Sequence, residues 1–296
     1  MVEIGGTYPM LYAFFDEGGQ VRRDAIDRQV AAAIAAGASG IAVLGLGSEV
    51  AKLGRSERRQ MVEWTLDAVA GRRPVAVTVA DGNVPDMIES ARFARASGAA
   101  WLVLQPPRPP ASGADLIAFF GAVAAAVDCP VGIQNAPEFL GIGLKTDELI
   151  ELNRRHPNVS IVKAESNAVT VAAVVSALAG RMRVFNGRGG LELTDNFRAG
   201  VDGMIPGTET IDLQVAIERA MRAGDEAKAE ALYRELLPVL SFAMQGLATF
   251  LAYGKLVAAY RLGLEPSTAR LPADLPTTIG TQWARRFADA LGPLPA

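Results

Sequence analysis

The sequence predicts a parallel-stranded α/β protein, a closed (β/α)8 TIM barrel followed by a helical C-terminal extension. Three observations support this fold class. Short runs of β-branched and aliphatic residues alternate with alanine-rich helical patterns over the first ~220 residues, as in parallel α/β sheets. About eight strands can be counted, which is the number that closes such a barrel. From Gly224 onward the pattern is helical only.

The strands and helices of the barrel are recognised by the joints between them. At these joints an alanine-rich helix end is followed by a glycine, which can adopt the left-handed helix stop, and then by an aliphatic strand. Such joints lie at residues 33–45, 94–104 and 197–207. The other strands are predicted near 8–13 and at 75–79, 131–134, 161–163 and 182–185. Helices between them are predicted, for example, at 56–70, 83–96 and 113–127.

Two parts are predicted along the chain, a barrel over residues 1–223 and a helical extension over residues 224–296. An extension of this size is expected to cover the barrel or an oligomer interface rather than to fold alone. A doubly wound parallel sheet is the alternative fold. Because no G-x-G-x-x-G motif opens a helix after an early strand, the dinucleotide-binding version of that alternative is disfavoured.

Composition and charge exclude several classes of protein. The chain has 296 residues and a net charge of −3, with both signs interspersed, so no basic stripe is predicted that would bind nucleic acid. Cys129 and His156 are the only residues of their types, which excludes an internal disulfide and leaves too few ligands for a zinc site. Neither a signal sequence nor an apolar run of about 20 residues is found. We therefore expect a soluble, cytoplasmic protein without a zinc site, which binds neither nucleic acid nor membranes.

Lys163 is the residue that most clearly suggests chemistry. It ends the β-branched run 159–163, and its side chain would emerge at the C-terminal end of a buried strand. The active sites of parallel barrels lie at that end of the strands. A partly desolvated amine is disfavoured in its charged form and becomes a nucleophile near neutral pH. The alternative is a strand-end lysine whose amine reaches solvent.

Other polar residues are expected at the same rim, because they follow the ends of other predicted strands. They are, in chain order, Gly47, Ser48, Glu49, Arg108, Gln134, Glu165, Asn186, Gly187 and Arg188. An amine with acids, amides and arginines suits a 2-oxo acid, since the amine condenses with the ketone to a Schiff base that withdraws electrons from the adjacent carbon. Glu165 and Arg188 are equally well interpreted as ordinary rim charges.

Several motifs in this order resemble the dihydrodipicolinate synthase and N-acetylneuraminate lyase family over nearly the whole chain. They are residues 6–9, 40–53, 130–137, 161–163 and 199–205. The resemblance implies a (β/α)8 barrel, a homo-oligomer (tetramer or dimer) and pyruvate or a related 2-oxo acid as substrate. It also implies that Lys163 is the Schiff-base lysine, that no cofactor is needed and that Ile205 lines the substrate site.

The chain departs from the family pattern at several positions. Gly47 and Ser48 stand in a turn where most members carry two adjacent hydroxyl residues. Gln134 stands at the position of the family's catalytic tyrosine, and a glutamine cannot act as a general acid or base. Phe139 replaces the arginine that grips aspartate semialdehyde in the synthases, and Arg108 replaces a tyrosine that reaches into the neighbouring subunit's site. These departures argue against lysine-biosynthetic synthase activity and resemble the branch that includes L-2-keto-3-deoxyarabonate dehydratase.

The predicted site follows from these two lines of reasoning. The catalytic residues are predicted to be Lys163, Gln134 and Glu49, and the substrate-binding residues Gly47, Ser48, Asn186, Gly187, Ile205 and Arg108. Lys163 would attack the ketone, the turn at Gly47 and Ser48 would seat the carboxylate, and Gln134 with Glu49 would position water or a substrate hydroxyl. The predicted reaction is dehydration of a 2-keto-3-deoxy sugar acid. Pyruvate-dependent aldol cleavage or synthase-like condensation is the first alternative, and a catalytically silent 2-oxo acid binding protein is the second.

Overall fold

The computed structural model describes residues 4–266 and 269–296 and contains an eight-stranded parallel sheet that curls into a barrel. From β2 to β8 each strand pairs with the next one along the chain, and β8 pairs with β1. Met10 bridges to both Ala42 and Gly207, which closes the barrel next to β2. The strands are β1 Gly6–Thr7, β2 Ile41–Val43, β3 Val75–Val79, β4 Trp101–Leu104, β5 Val131–Asn135, β6 Val159–Ala164, β7 Arg183–Asn186 and β8 Gly203–Met204. The predicted (β/α)8 barrel is confirmed.

Helices connect the strands and surround the barrel. They are α1 Arg23–Ala36, α2 Arg55–Val69, α3 Val84–Ser97, α4 Gly113–Ala124, α5 Pro137–Leu140, α6 Thr146–Arg155, α7 Ala168–Leu178, α8 Leu193–Arg198 and α9 Ile211–Arg222. Short 3-10 turns at Leu46–Ser48, Val50–Lys52 and Arg188–Gly190 follow β2 and β7 at the C-terminal end of the barrel. Gly37 and Gly98 end α1 and α3 in the left-handed conformation, as the predicted joints require.

The first strand differs from its prediction. The sequence predicts a strand near residues 8–13, whereas the regular strand is β1, at Gly6–Thr7. The reason is that the following segment changes partner. The amides of Tyr8 and Met10 donate to carbonyls of the segment around β8, but the amide of Leu11 donates to Ala42 of β2 at 2.9 Å. Pro9 between them has no amide hydrogen, which interrupts the ladder further.

The barrel interior is filled by large side chains. The rings of Tyr8, Trp101 and Phe185 contact one another with centroid separations of 5.4–5.9 Å. Gly203 lies against them, and a Cβ there would stand 2.2 Å from the Gly6 carbonyl oxygen and 2.4 Å from the Phe185 ring. A second, larger core lies between the strands and the surrounding helices. The interior is therefore packed below the rim, and space for a ligand remains at the C-terminal ends of the strands.

The C-terminal part consists of helices α10 Glu226–Ala243, α11 Leu247–Thr249, α12 Lys255–Arg261 and α13 Thr278–Leu291. A π-helical turn, Phe250–Gly254, joins α11 to α12. Side chains of α10, α12 and α13 form a hydrophobic cluster of their own that includes Val239, Val257 and Ala284. The division of the chain at residue 223 stays a prediction.

Within the described ranges no single helix is long and apolar enough to cross a membrane. One pair of helices, Glu226–Ala243 and Leu247–Arg261, reaches that length and composition together, but the pair is bent by 106°.

Glu209 is a carboxylic acid buried beside the barrel. Its Oε2 accepts a hydrogen bond of 2.8 Å from the Tyr12 hydroxyl, and both side chains are enclosed by protein. Burial raises the pKa of Glu209 from 4.5 to about 7. The folded protein therefore keeps a proton that the unfolded chain loses between pH 4.5 and 7, so the free energy of unfolding decreases as the pH rises through that interval.

We expect the variant Glu209→Gln to lose this pH dependence. The pKa difference corresponds to about 3 kcal/mol of stability between pH 5 and pH 8. Urea unfolding at the two pH values, compared between wild type and variant, measures it. Glu17→Gln, at an exposed position, is the control and should retain the wild-type dependence. Equal pH dependence in wild type and Glu209→Gln would contradict the assignment.

Candidate active site

Lys163 lies near the C-terminal end of β6, directly beside Gln134 of β5 in the parallel ladder. Both side chains are buried, and only 4% of Lys163 is exposed to solvent. Strand β6 is rich in β-branched residues and is paired on both sides, with β5 and β7. The side chains at its C-terminal end lie at the rim of the barrel. The amine predicted to be a nucleophile is therefore held away from bulk water.

Glu165 is the partner of Lys163. Its Oε1 lies 2.9 Å from the Lys163 amine, and its Oε2 accepts a hydrogen bond of 2.5 Å from the Gln134 side-chain amide. The two residues lie two positions apart at the end of an extended strand, and the period of two places them on the same face. The amide of Glu165 also donates to the Asn135 carbonyl at 3.1 Å, which extends the ladder and orients the carboxylate.

The Lys163–Glu165–Gln134 group has capacity for further hydrogen bonds. The Gln134 Oε1 atom is buried and accepts no hydrogen bond from residues 4–266 or 269–296. Gly187 packs below Glu165, and a Cβ at Gly187 would stand 2.6 Å from Glu165 Oε1. A larger residue there would displace the carboxylate, so Gly187 supports the site through its small size. Its predicted contact with the substrate stays a prediction.

A narrow cavity of about 40 Å³ opens beside the Lys163 amine. Its polar lining consists of Lys163, Glu165, Arg188 and backbone at Gly47, Gly189 and Gly207. The remaining walls are apolar and include Met10, Leu46, Phe139, Ile205, Pro206, Met244, Leu247 and Phe250. The last three come from the C-terminal helical part, which therefore completes the site. We call this space the Lys163 cavity.

Arg188 is the second cation of the Lys163 cavity. It adopts a left-handed backbone conformation with φ 54°, in the 3-10 turn that follows β7. Its Nη1 pairs with Glu192 at 2.9 Å, and its Nε lies 3.8 Å from a Glu138 carboxylate oxygen. Among the described residues no acceptor is within hydrogen-bond distance of the buried Nε atom. Arg188 can therefore donate a hydrogen bond to an anionic or hydroxylated ligand.

The turn after β2 contributes Gly47 to the Lys163 cavity but not the Ser48 hydroxyl. Ser48 is fully buried, its oxygen accepts from the Leu44 amide at 3.0 Å, and its hydroxyl donates to the Leu11 carbonyl at 2.5 Å. These bonds tie the turn to the first strand segment. The hydroxyl is therefore committed to the protein itself, and Leu46 and Gly47 are the residues of the turn that line the Lys163 cavity.

Glu49 points away from Lys163. Its carboxylate lies between two lysines, 2.6 Å from the Lys52 amine on one side and hydrogen-bonded to the Lys255 amine on the other. It lines a different cavity, on the far side of Leu247. The structure therefore places the Glu49 carboxylate outside the Lys163 cavity, because Lys52 and Lys255 hold it, and its predicted catalytic role stays a prediction.

The other three predicted residues have three different positions. Ile205 lines the Lys163 cavity. Asn186 is fully buried and donates to Asn196 at 2.7 Å and to the Ser166 carbonyl at 3.0 Å, so it holds the rim loops together. Arg108 is exposed on the loop after β4. Its predicted contact with a neighbouring subunit stays a prediction.

Glu165 and Arg188 are not among the site residues predicted from the sequence, which leaves open whether they are part of the reactive set or ordinary rim charges. The structure places both in the Lys163 cavity. The spacing of two from Lys163 was a usable signal for Glu165, because it places both side chains on one face of a strand. The apolar wall residues Met244, Leu247 and Phe250 had no such signal, because their position depends on how the C-terminal helices pack.

Comparisons with known proteins agree with this geometry. The sequence profile of the Dihydrodipicolinate synthetase family matches residues 3–280. A 4-hydroxy-tetrahydrodipicolinate synthase of Sorangium cellulosum is 29% identical over 298 residues, covering 96% of this chain and 98% of that protein. YagE of Escherichia coli K12, to which a 2-dehydro-3-deoxy-D-gluconate aldolase activity is provisionally assigned, is 28% identical over 240 residues, 79% of this chain and 80% of YagE.

Solved structures show the same fold. The crystal structure of YagE in complex with pyruvate superposes with a TM-score of 0.90 at 24% identity and covers 97% of this chain and 98% of YagE. Dihydrodipicolinate synthase from Aquifex aeolicus superposes with a TM-score of 0.88 at 21% identity, covering 98% of both chains. At these identities the superpositions establish the barrel and its C-terminal helices, and the sequence matches establish kinship. The chain therefore belongs to the dihydrodipicolinate synthetase family, and it is an enzyme of the lyase type that this family contains.

Proposed function

We propose that this enzyme forms a Schiff base between Lys163 and a 2-oxo acid and that it dehydrates a 2-keto-3-deoxy sugar acid. The observation that carries the proposal is the Lys163–Glu165 pair, an enclosed amine 2.9 Å from a carboxylate that faces a cavity. The pyruvate bound to YagE, a relative by sequence, supports a 2-oxo acid as the ligand class.

Glu165 is suited to activate Lys163. Transfer of a proton from the ammonium to the carboxylate frees the nitrogen lone pair, which attacks the ketone carbon. The protonated Glu165 then returns this proton to the former ketone oxygen, which leaves as water, so that a protonated imine and the Glu165 carboxylate remain. The substrate carboxylate would lie near Gly47 and Arg188, because these are the cavity residues that can offer hydrogen-bond donors to an anion.

Glu165 is also suited to the proton transfers that follow. Gln134 replaces the family's tyrosine and has no titratable proton, so a different group must act as acid and base. In the part of the chain that the structure describes, Glu165 is the carboxylate that pairs with Lys163. Gln134 donates to that carboxylate and so orients it, while its own free oxygen can accept a hydrogen bond from a substrate hydroxyl or a water.

The steps of the dehydration balance with these residues. The carboxylate of Glu165 removes a proton from C3 of the imine, and the electrons of the C–H bond form the enamine. The protonated Glu165 returns the proton to the C4 hydroxyl, the C4–O bond breaks, and water leaves. Hydrolysis of the resulting imine consumes the water that imine formation released and frees Lys163. The net change is the loss of one water.

Retro-aldol cleavage from the same imine is the second candidate, favoured by the similarity to YagE. It requires a base at the C4 hydroxyl, whose oxygen lies two bonds further from the nitrogen than C3. Since Glu165 lies at hydrogen-bond distance from the lysine nitrogen, C3 is the closer of the two points at which a base can begin a reaction. The position of Glu165 therefore favours a first proton transfer from C3, with which the dehydration begins.

The test is an assay with 2-keto-3-deoxyarabonate as substrate. Dehydration yields 2-oxoglutarate semialdehyde, whereas aldol cleavage yields pyruvate and glycolaldehyde. We expect the semialdehyde. Release of pyruvate would replace the dehydratase proposal with the aldolase, and thermal stabilisation by the acid without any product would indicate a silent 2-oxo acid binding protein.

We further propose that the enzyme works in the cytoplasm as a homotetramer or homodimer. The exposed loop that carries Arg108 is then the segment that reaches a neighbouring subunit. Light scattering of the purified protein measures its mass in solution, and a monomer at working concentration would contradict this assembly.

A further inference from the structure

A second cavity, of about 510 Å³, lies on the other side of Leu247 from the Lys163 cavity. We call it the Lys52–Lys255 cavity after the two lysines in its wall. Its remaining lining is mainly apolar and includes Leu247, Ala248, Leu251, Leu256, Pro272 and Pro276. The proposed dehydration does not use this cavity.

The two lysines of the Lys52–Lys255 cavity share one carboxylate partner. Both amines pair with Glu49. Arg270 lies nearby, but it is paired with Glu57 at 2.7 Å. Asp274 also lines the cavity and makes the charges of the lining equal in number, but it forms no ion pair with either lysine in the described structure.

The two amines are therefore in direct contact with only one carboxylate among the described residues, and much of the cavity wall beside them is apolar. The Lys255 side chain is 10% exposed, and its amine lies 4.9 Å from the centre of the Phe15 ring. Desolvation, followed by the nearby Lys52 and Arg270 charges, lowers the pKa of Lys255 against the opposing effect of Glu49. A buried cation without a full counter-charge is costly, and an anion at this point would offset that cost.

We propose that the Lys52–Lys255 cavity binds a small organic carboxylate with an apolar tail. Each ammonium has three N–H donors and uses one of them for Glu49, so both can also donate to a ligand carboxylate. The tail then lies against the leucines and prolines of the wall, which gives affinity through buried apolar area. Neither lysine is a member of the Lys163–Glu165–Gln134 group.

The Lys52–Lys255 cavity and the Lys163 cavity share part of their walls. Leu247 lines both cavities, and Gly47, which lines the Lys163 cavity, lies two residues before Glu49. A ligand that contacts Leu247 and the Glu49 pair therefore acts on two elements that also shape the Lys163 cavity.

The probe for this site is 4-methylpentanoate, which has a branched apolar tail and no ketone that could form an imine. We expect saturable binding by isothermal titration calorimetry with a Kd of about 1 mM or tighter. The uncharged analogue 4-methylpentanamide should bind at least about tenfold more weakly, since it lacks the charge that the lysines attract. Failure of 4-methylpentanoate to bind the wild type would overturn the proposal.

Four variants locate the binding. Lys52→Met and Lys255→Met should each weaken binding about tenfold or more, whereas Lys163→Met and the exposed Lys145→Met should leave it unchanged. Circular dichroism checks folding, and Lys52→Met decides alone if Lys255→Met does not fold, because Lys52 is the more exposed of the two. Binding that is lost in Lys163→Met and kept in Lys52→Met would place the ligand in the Lys163 cavity and overturn the proposal. These experiments measure ligand binding, so their outcome does not depend on which reaction the enzyme catalyses.

Discussion

Replacing Lys163 with arginine will abolish imine formation and lower kcat on the substrate by about 10⁴-fold or more. Arginine keeps a positive charge beside Glu165, but its guanidinium stays protonated at neutral pH and has no free lone pair to attack a ketone. The charge of the site is thereby preserved while the nucleophile is removed. The variant thus separates the chemistry of Lys163 from its electrostatic role in the pair with Glu165.

Borohydride reduction in the presence of pyruvate measures the imine directly. Peptide mass mapping of the wild type should find the reduced adduct on Lys163, and Lys163→Arg should show no adduct. Lys145→Arg is the matched control, because Lys145 is exposed and lies in neither cavity. An adduct on another lysine, or an unmodified wild-type protein under these conditions, would contradict the assignment of Lys163 as the Schiff-base residue.

Replacing Glu165 with glutamine will lower kcat by about 10²- to 10⁴-fold while leaving the trapped pyruvate adduct in place. Glutamine has the size of the carboxylate and can still accept a hydrogen bond from Gln134, but it cannot take the C3 proton or return it to the C4 hydroxyl. Formation of the imine on a long incubation depends mainly on Lys163. Loss of turnover with retention of the adduct would therefore indicate an acid and base in the later steps.

Glu49→Gln is the informative comparison for Glu165→Gln. Glu49 is the acid that the sequence places in the site, and the structure directs it to Lys52 and Lys255. We expect its kcat to fall much less than that of Glu165→Gln once folding has been verified by circular dichroism. The reverse order, with a large loss for Glu49→Gln and a small loss for Glu165→Gln, would show that the carboxylates exchange roles when substrate binds.

Much of the barrel could be predicted from local patterns. The helix-to-strand joints and the β-branched runs specify each element from its own residues, and seven of the predicted strands lie where the structure has them. The first strand could not be placed correctly, since its hydrogen bonds change between β8 and β2 and neither partner is encoded within the segment. The aromatic packing of Tyr8, Trp101 and Phe185 in the interior likewise joins residues that lie far apart along the chain.

The sequence by itself determined the barrel, the family and the location of Lys163 at the end of a central strand, because these depend on periodicity and on motifs that are local in the chain. Only the tertiary structure decided which acid accompanies Lys163. Glu165 meets the amine through the geometry of one strand, whereas Glu49 is drawn away by Lys255, 206 residues distant along the chain. The direction of a charged side chain is set by the partner that neutralises it in a buried environment, and that partner is known only once the chain has folded.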